Sequence, residues 1–212
     1  MTRCDELYEA ILNGDAKKAH NATQAAIEAR VDAMELITSS MVPAMDEVGR
    51  LFEQEEYFVP ELLLAGRAMK SAMELLRPLM ISSGQKFSTR VIIGTVKGDL
   101  HDIGKNIVAS MLEGSGFEVI DLGTDVSPEK FVAAVAEQKP HIVCMSALLT
   151  VTMPSMKTTI EALKSAGVRT QVKVLIGGAP VTMQYCKEIG ADGYSENASG
   201  AVSLVKNLLT VA

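Results

Sequence analysis

Three short segments carry residues whose types suit ligand chemistry. The first is Lys97-Gly98-Asp99-Leu100-His101-Asp102-Ile103-Gly104, where one imidazole stands between two carboxylates. Asp99 can accept the proton on one ring nitrogen, which leaves the other a better donor to a metal. Gly104 opens the next helix, where a missing side chain lets a bulky ligand approach the backbone. The same residues would also serve as a loop histidine tied to an aspartate for local structure alone. The second segment is Ser146-Ala147-Leu148-Leu149-Thr150-Val151-Thr152. It equally suits a plain strand-to-helix join, with Thr152 or a neighbour as the helix cap. The third, Gly177-Gly178-Ala179-Pro180, is either a tight turn or an open slot for a flat group.

The elements that must position these segments follow from hydrophobic period. Residues 1–84 have a helical period throughout. Leu7, Ile11 and Leu12 share a face, and Asn13-Gly14-Asp15 then breaks the helix. A second helix is predicted over 15–29. A third covers 31–52, with Met34, Ile37, Met41, Met45 and Val48 at helical spacing and a kink at Pro43. Pro60 suits the first turn of a fourth, which carries Leu63, Leu64, Met69, Met73 and Leu76. The methionines read as core packing. Together these predict a four-helix bundle, followed by a small, polar linker over 81–89.

Over residues 85–212 the period changes. Strands are predicted over 90–96, 118–122, 142–146, 172–176 and 193–195. They alternate with helices over 103–113, 128–138, 153–166, 181–189 and 198–209. Strict alternation implies right-handed crossovers and a parallel sheet covered on both faces. The fold class is therefore α/β, a flavodoxin-like doubly wound five-stranded sheet behind a helical bundle. Such sheets bind ligands outside the carboxyl ends of their strands. The three segments follow strands one, three and four, so all of them converge on that edge.

Composition narrows the function. Aromatics are 4% of the 212 residues with no Trp, so the core must use aliphatics and the 12 Met. That favours helix–helix and helix–sheet packing over an all-β sandwich. A net charge of −6 argues against nucleic acid as the main partner. No apolar run approaches the roughly 18 residues of a membrane span, and the N-terminus lacks the apolar core of a signal peptide. Cys4, Cys144 and Cys186 lack metal-ligand spacing and read as free thiols in a reducing compartment, so a cytoplasmic protein is expected. There is no phosphate-binding Gly-Lys loop, no Gly-x-Gly-x-x-Gly after strand one and no nucleophile elbow. His20 and His141 are too scattered to form a zinc site with His101.

The ordered set Asp-x-His-x-x-Gly (Asp99, His101, Gly104), Ser-x-Leu (Ser146, Leu148) and Gly-Gly (Gly177, Gly178) resembles the signature of cobalamin-binding modules. The resemblance covers the whole second half. With a bundle ahead of it, the chain is similar to corrinoid proteins of methylamine, methanol and O-demethylase methyltransferase systems and to the B12-binding region of methionine synthase. The cofactor implied is cobalamin or a related corrinoid, methylcobalamin in the loaded state. His101 would ligate cobalt from below, with Asp99 as its partner. Gly98, Leu100, Asp102, Ile103 and Gly104 would complete the contact loop. The cofactor's displaced base would enter a slot given room by Gly177 and Gly178 and lined by Ser146 and Leu148, with Thr150 near it. Thr152 matches a hydroxyl position that bonds the Asp99–His101 pair, and Ala198 a position at the corrin edge or tail. Residues 55–62 resemble a cap over the upper face. Phe58 would shield the cobalt–methyl bond with help from Leu62 or Leu63, unless it is a bundle core residue.

The resemblance further implies a carrier that is an enzyme only together with its partners. A substrate:corrinoid methyltransferase would load a methyl group on Co(I). A corrinoid:acceptor methyltransferase would then move it to tetrahydrofolate, another pterin or coenzyme M. His101 would dissociate when the methyl leaves, the Asp99 pair holding a proton, and a reductive activation protein would restore Co(I). The cap would swing about a hinge near residues 82–88, and neither nucleic acid nor membrane would be involved. Two alternatives share the sheet domain. A B12-dependent mutase subunit would not need this cap, and a B12-based sensor or regulator should bring a DNA-binding segment.

Overall fold

The computed structural model of the chain describes residues 4–82 and 89–210. Packing divides it into a unit built on Met1–Ser88 with Ser110–Phe117 and a unit built on Thr89–Ala109 with Glu118–Ala212. Of the linker expected over 81–89 and the hinge expected near 82–88, residues 83–88 lie outside the described residues, while 81 and 82 are helical.

In the first unit, α1 (Asp5–Leu12) buries Leu7, Ala10 and Ile11. It ends at Gly14, whose φ of +69° and a would-be Cβ only 2.5 Å from Leu64 Cβ both require glycine. Asp15 then caps α2 (Ala16–Glu28), accepting from the Lys18 N–H at 3.0 Å. Asp32 caps α3 (Ala33–Leu36) in the same way. The predicted kink at Pro43 takes another form. A π-helical turn, Ile37–Met41, joins α3 to α4 (Val42–Glu53), with Pro43 in the first turn of α4. Proline has no N–H for the carbonyl four residues back, and a wider turn absorbs the loss. The Thr38 and Ser39 hydroxyls donate to the Met34 and Glu35 carbonyls at 2.8 and 2.6 Å.

The long α5 (Val59–Ser82) completes this unit. Its buried face runs through Leu62, Ala65, Met69, Ala72 and Leu76, a heptad-like stripe. Leu63 and Leu64 are exposed, one position off the face that the sequence pattern suggested. Met41, Met45, Met69, Met73 and Met80 are all buried, as core packing requires.

In the second unit the strands form one five-stranded sheet, β2-β1-β3-β4-β5, every pairing parallel. The strands are β1 (Arg90–Thr95), β2 (Glu118–Asp121), β3 (Ile142–Ser146), β4 (Lys173–Gly177) and β5 (Gly193–Tyr194). The helices are α6 (Ile103–Gly114), whose residues from Ser110 on are grouped with the first unit, α7 (Pro128–Gln138), α8 (Pro154–Ser165), α9 (Met183–Ile189) and α10 (Ala198–Thr210). β1, β3 and β4 read as continuous apolar runs because both faces are covered. Phe131 of α7 fills the space under Gly94, where a Cβ would come within 2.9 Å of its ring. The register carries the functional consequence. Thr95 pairs with Ser146, and Ser146 with Gly177, so one row across the sheet launches all three candidate segments. Among the described residues, no helix is long and apolar enough to cross a membrane.

Candidate functional site

Asp99 is the buried centre of the site. Its side chain is fully covered, yet it is saturated with donors. Oδ1 accepts the His101 backbone N–H at 3.0 Å and lies 2.7 Å from His101 Nδ1. Oδ2 accepts from the Leu148 and Leu149 backbone N–H groups at 2.8 and 3.3 Å and from the Thr152 hydroxyl at 2.7 Å. Burial by itself would raise the carboxyl pKa. The Thr152 hydroxyl, the N–H and ring of His101 and the Leu148 N–H outweigh it and hold Asp99 well below the usual carboxylate range. Asp99 is therefore an anion at neutral pH, and an anion only accepts. Nδ1 of His101 therefore presents a proton to Asp99, and in the neutral ring the lone pair is on Nε2.

His101 itself is half exposed, so this lone pair is available at the surface. Its backbone is fixed from beneath: the hydroxyl of the buried Thr95 donates to the His101 carbonyl at 2.8 Å. Beside the loop, the nearly buried Lys105 donates to Asp121 and to Asn106, and Asn106 donates to Asp102 at 3.1 Å. This network ties the first turn of α6 to the end of β2.

Several large apolar side chains of these loops are exposed. Leu100, Ile103 and Val151 are 73%, 69% and 80% exposed, and Leu148 and Leu149 are also exposed. Nothing lies within 4 Å of a Cβ built on Gly104, so the helix start is open. These apolar side chains lie in or next to loops at the carboxyl ends of the strands, where open α/β sheets bind ligands. Thr152 is buried against Asp99, Ser146 is half-buried at the end of β3, and Thr150 is exposed. The two glycines differ. A Cβ on Gly178, whose φ is +129°, would lie 1.9 Å from the Ala147 carbonyl oxygen, so this glycine serves a close backbone crossing. A Cβ on Gly177 would reach only the Ser195 carbonyl at 3.4 Å, so it would project into the gap between β4 and the end of β5. Ala198 is buried in the first turn of α10, with Asn197 capping Gly200 at 2.7 Å.

In the helical unit Phe58 is 61% exposed and so is no bundle core residue. Glu61 reaches back to accept the Phe58 N–H at 2.9 Å, half of a capping box at the start of α5. Val59 and Leu63 are exposed beside it, whereas Leu62 is 2% exposed and belongs to the core. Of the two leucines expected to assist Phe58, only Leu63 is free to do so.

Several residues at the site had no signal in the sequence. The Leu148 and Leu149 donors are backbone groups, which residue type does not reveal. Thr95, Lys105 and Asp121 act through contacts set by the sheet.

His101 is a single donor. Among the described residues no group of three or more His, Cys, Asp or Glu side chains is arranged to hold a metal ion. One imidazole with a nitrogen held by Asp99 fits a metal that arrives inside a flat organic ring supplying its other ligands. Comparison with known proteins agrees with that reading. Residues 89–203 match one B12 binding domain family and residues 3–77 a second. The trimethylamine corrinoid protein 1 of Methanosarcina acetivorans is 45% identical over 203 residues, covering 95% of this chain and 94% of its own length. A cobalamin-binding protein from Desulfitobacterium hafniense superposes with a TM-score of 0.79 at 37% identity, covering 98% of each chain. The methanol:cobalamin methyltransferase complex MtaBC from Methanosarcina barkeri superposes with a TM-score of 0.86 at 31% identity, over 99% of this chain and 80% of that one.

Proposed function

This chain belongs to the B12-binding corrinoid proteins, whose cofactor is a cobalt corrinoid, and from that premise we propose that it is the methyl carrier of a two-methyltransferase relay. A substrate-specific methyltransferase loads the carrier. A second methyltransferase unloads it to a tetrahydrofolate or other pterin, or to the thiol of coenzyme M. Cobalt in its most reduced state supplies the nucleophile for this exchange. A reductive activation protein restores that state after accidental oxidation. The relatives' names include trimethylamine and methanol as methyl sources, and recognition of the source belongs to the loading partner.

The observation that carries the proposal is the Asp99–His101 pair, with Nδ1 held at 2.7 Å and Nε2 left available. His101 is assigned as the lower cobalt ligand. Gly98, Leu100, Asp102, Ile103 and Gly104 would complete the loop that contacts the corrin. Ser146, Leu148, Thr150 and Gly177 would bound the slot for the displaced base, with Ala198 near its rim, while the Thr152 hydroxyl holds the Asp99 carboxylate at 2.7 Å. Gly178 contributes by letting the loop after β3 pass close. Residues 1–84 act as a cap presenting Phe58 and Leu63, and residues 85–212 as the binding domain. Similarity that spans both halves at 45% identity favours the carrier over a mutase subunit or a light-responsive regulator.

His101→Ala is the direct test. The variant should bind cobalamin less tightly, lose the histidine signature from the cobalt spectrum and transfer methyl groups much more slowly. An unchanged cobalt(III) spectrum together with an unchanged rate rejects the assignment.

A further inference from the structure

Asp125 stands 27 residues beyond Gly98 in sequence, yet its carboxylate accepts the Gly98 N–H at 2.7 Å. Its own N–H donates to the Asp99 carbonyl at 3.0 Å. One residue thus grips both ends of the Gly98–Asp99 segment. It does so from the left-handed region, with a φ of +51°. Glycine would occupy that position with less strain. Aspartate tolerates this region better than most side chains, and here its side chain touches the loop that carries His101. Gly98 also has a positive φ, +84°, a conformation open to glycine, so residue type alone does not fix the backbone at this point.

The frame behind the clamp is rigid. The Thr95 N–H donates to the Gly123 carbonyl at 3.0 Å and the Val126 N–H to the Thr95 carbonyl at 2.9 Å. The turn that carries Asp125 is thereby fastened to the end of β1 on both sides of that residue. Asp125 is exposed, so one hydrogen bond there adds little to global stability. Its leverage is local.

We propose that Asp125 is a positioning residue for His101: it locks the Gly98–Asp99 backbone so that the Asp99 carboxylate meets Nδ1 and aims Nε2 at the metal. The inference rests on the assignment of His101 as cobalt ligand. Removing an outer partner of a metal ligand typically weakens metal binding 10–100-fold. Asp125, one step further out, should act at the low end, roughly tenfold.

Two variants separate the roles. Asp125→Gly relieves the left-handed strain but removes the acceptor. Asp125→Asn keeps an acceptor oxygen and tolerates the conformation. Each is checked for folding by circular dichroism and then measured in two states. Without cofactor, amide hydrogen exchange at Gly98 should speed up in Asp125→Gly and stay slow in Asp125→Asn. After loading with hydroxocobalamin and reduction to cobalt(II), the histidine nitrogen splitting in the electron paramagnetic resonance spectrum should weaken in Asp125→Gly. The cobalamin dissociation constant should rise roughly tenfold in that variant. Both should return close to wild type in Asp125→Asn. If Asp125→Gly matches wild type in both states, or if Asp125→Asn fails as Asp125→Gly does, the positioning role is wrong. Wild-type protein without nitrogen splitting, matching His101→Ala, would overturn the ligand assignment and this inference with it.

Discussion

At the scale of single residues, the site is organised by a buried anion rather than by the histidine it serves. A buried carboxylate is tolerable only when its lone pairs are filled. Asp99 fills them with two groups from His101 and three from the segment after β3. The Thr152 hydroxyl sits between two acceptors, Asp99 Oδ2 at 2.7 Å and the Leu149 carbonyl at 2.8 Å, and has one proton for both. Thr152→Val keeps the shape and removes that donor. Urea unfolding of the cofactor-free protein should show a loss of about 1.5–3 kcal/mol, the usual worth of a hydrogen bond to a charged group. Thr152→Ser should recover most of it. No loss in Thr152→Val would mean that the backbone N–H groups alone satisfy Asp99. His101 was legible because its partner lies two residues away in the same loop. Asp125 was not, because its contact spans 27 residues and depends on a left-handed turn that spacing does not encode.

At the scale of elements, the shared row of Thr95, Ser146 and Gly177 does the alignment. The strands that carry it were legible as short apolar runs, since burial on both faces leaves no polar alternation to confuse the reading. α5 was harder. Leu62, Leu63 and Leu64 are consecutive, so residue type could not say which of them faces the bundle. Packing against the other helices chose Leu62. At Pro43 the sequence pointed to a disturbance, and only the ladder of carbonyls could decide between a kink and a π turn. The adjacent glycines were equally ambiguous, and the structure gives them different predictions. Gly178→Ala should lower the melting temperature of the cofactor-free protein markedly, because a methyl group would meet the Ala147 carbonyl oxygen at 1.9 Å at a strained φ. Gly177→Ala should leave that temperature nearly unchanged and weaken cobalamin binding, measured by equilibrium titration. Equal effects of the two substitutions on stability would contradict this division of labour.

At the scale of the whole molecule, the strand order β2-β1-β3-β4-β5 turns back between β1 and β3, and the two loops on either side of that reversal make the site. The order has a consequence in time as well as in space. Leu148 and Thr152, which quench Asp99, are synthesised 49 and 53 residues after it. At roughly 5–20 residues per second, a nascent chain holds its histidine loop without those donors for about 3–10 s. The stretch that ends the wait, beginning at Ala147, is backed by Gly178, which is translated later still. Ribosome-arrested chains whose emerged portion stops short of Leu148 should therefore fail to retain cobalamin, whereas fully emerged chains should retain it. Retention by the shorter chains would show that the loop matures without its distant donors. Otherwise the moment of cofactor capture is scheduled by translation, and a pause between the codons for His101 and Gly178 would delay loading without altering a single amino acid of the finished protein.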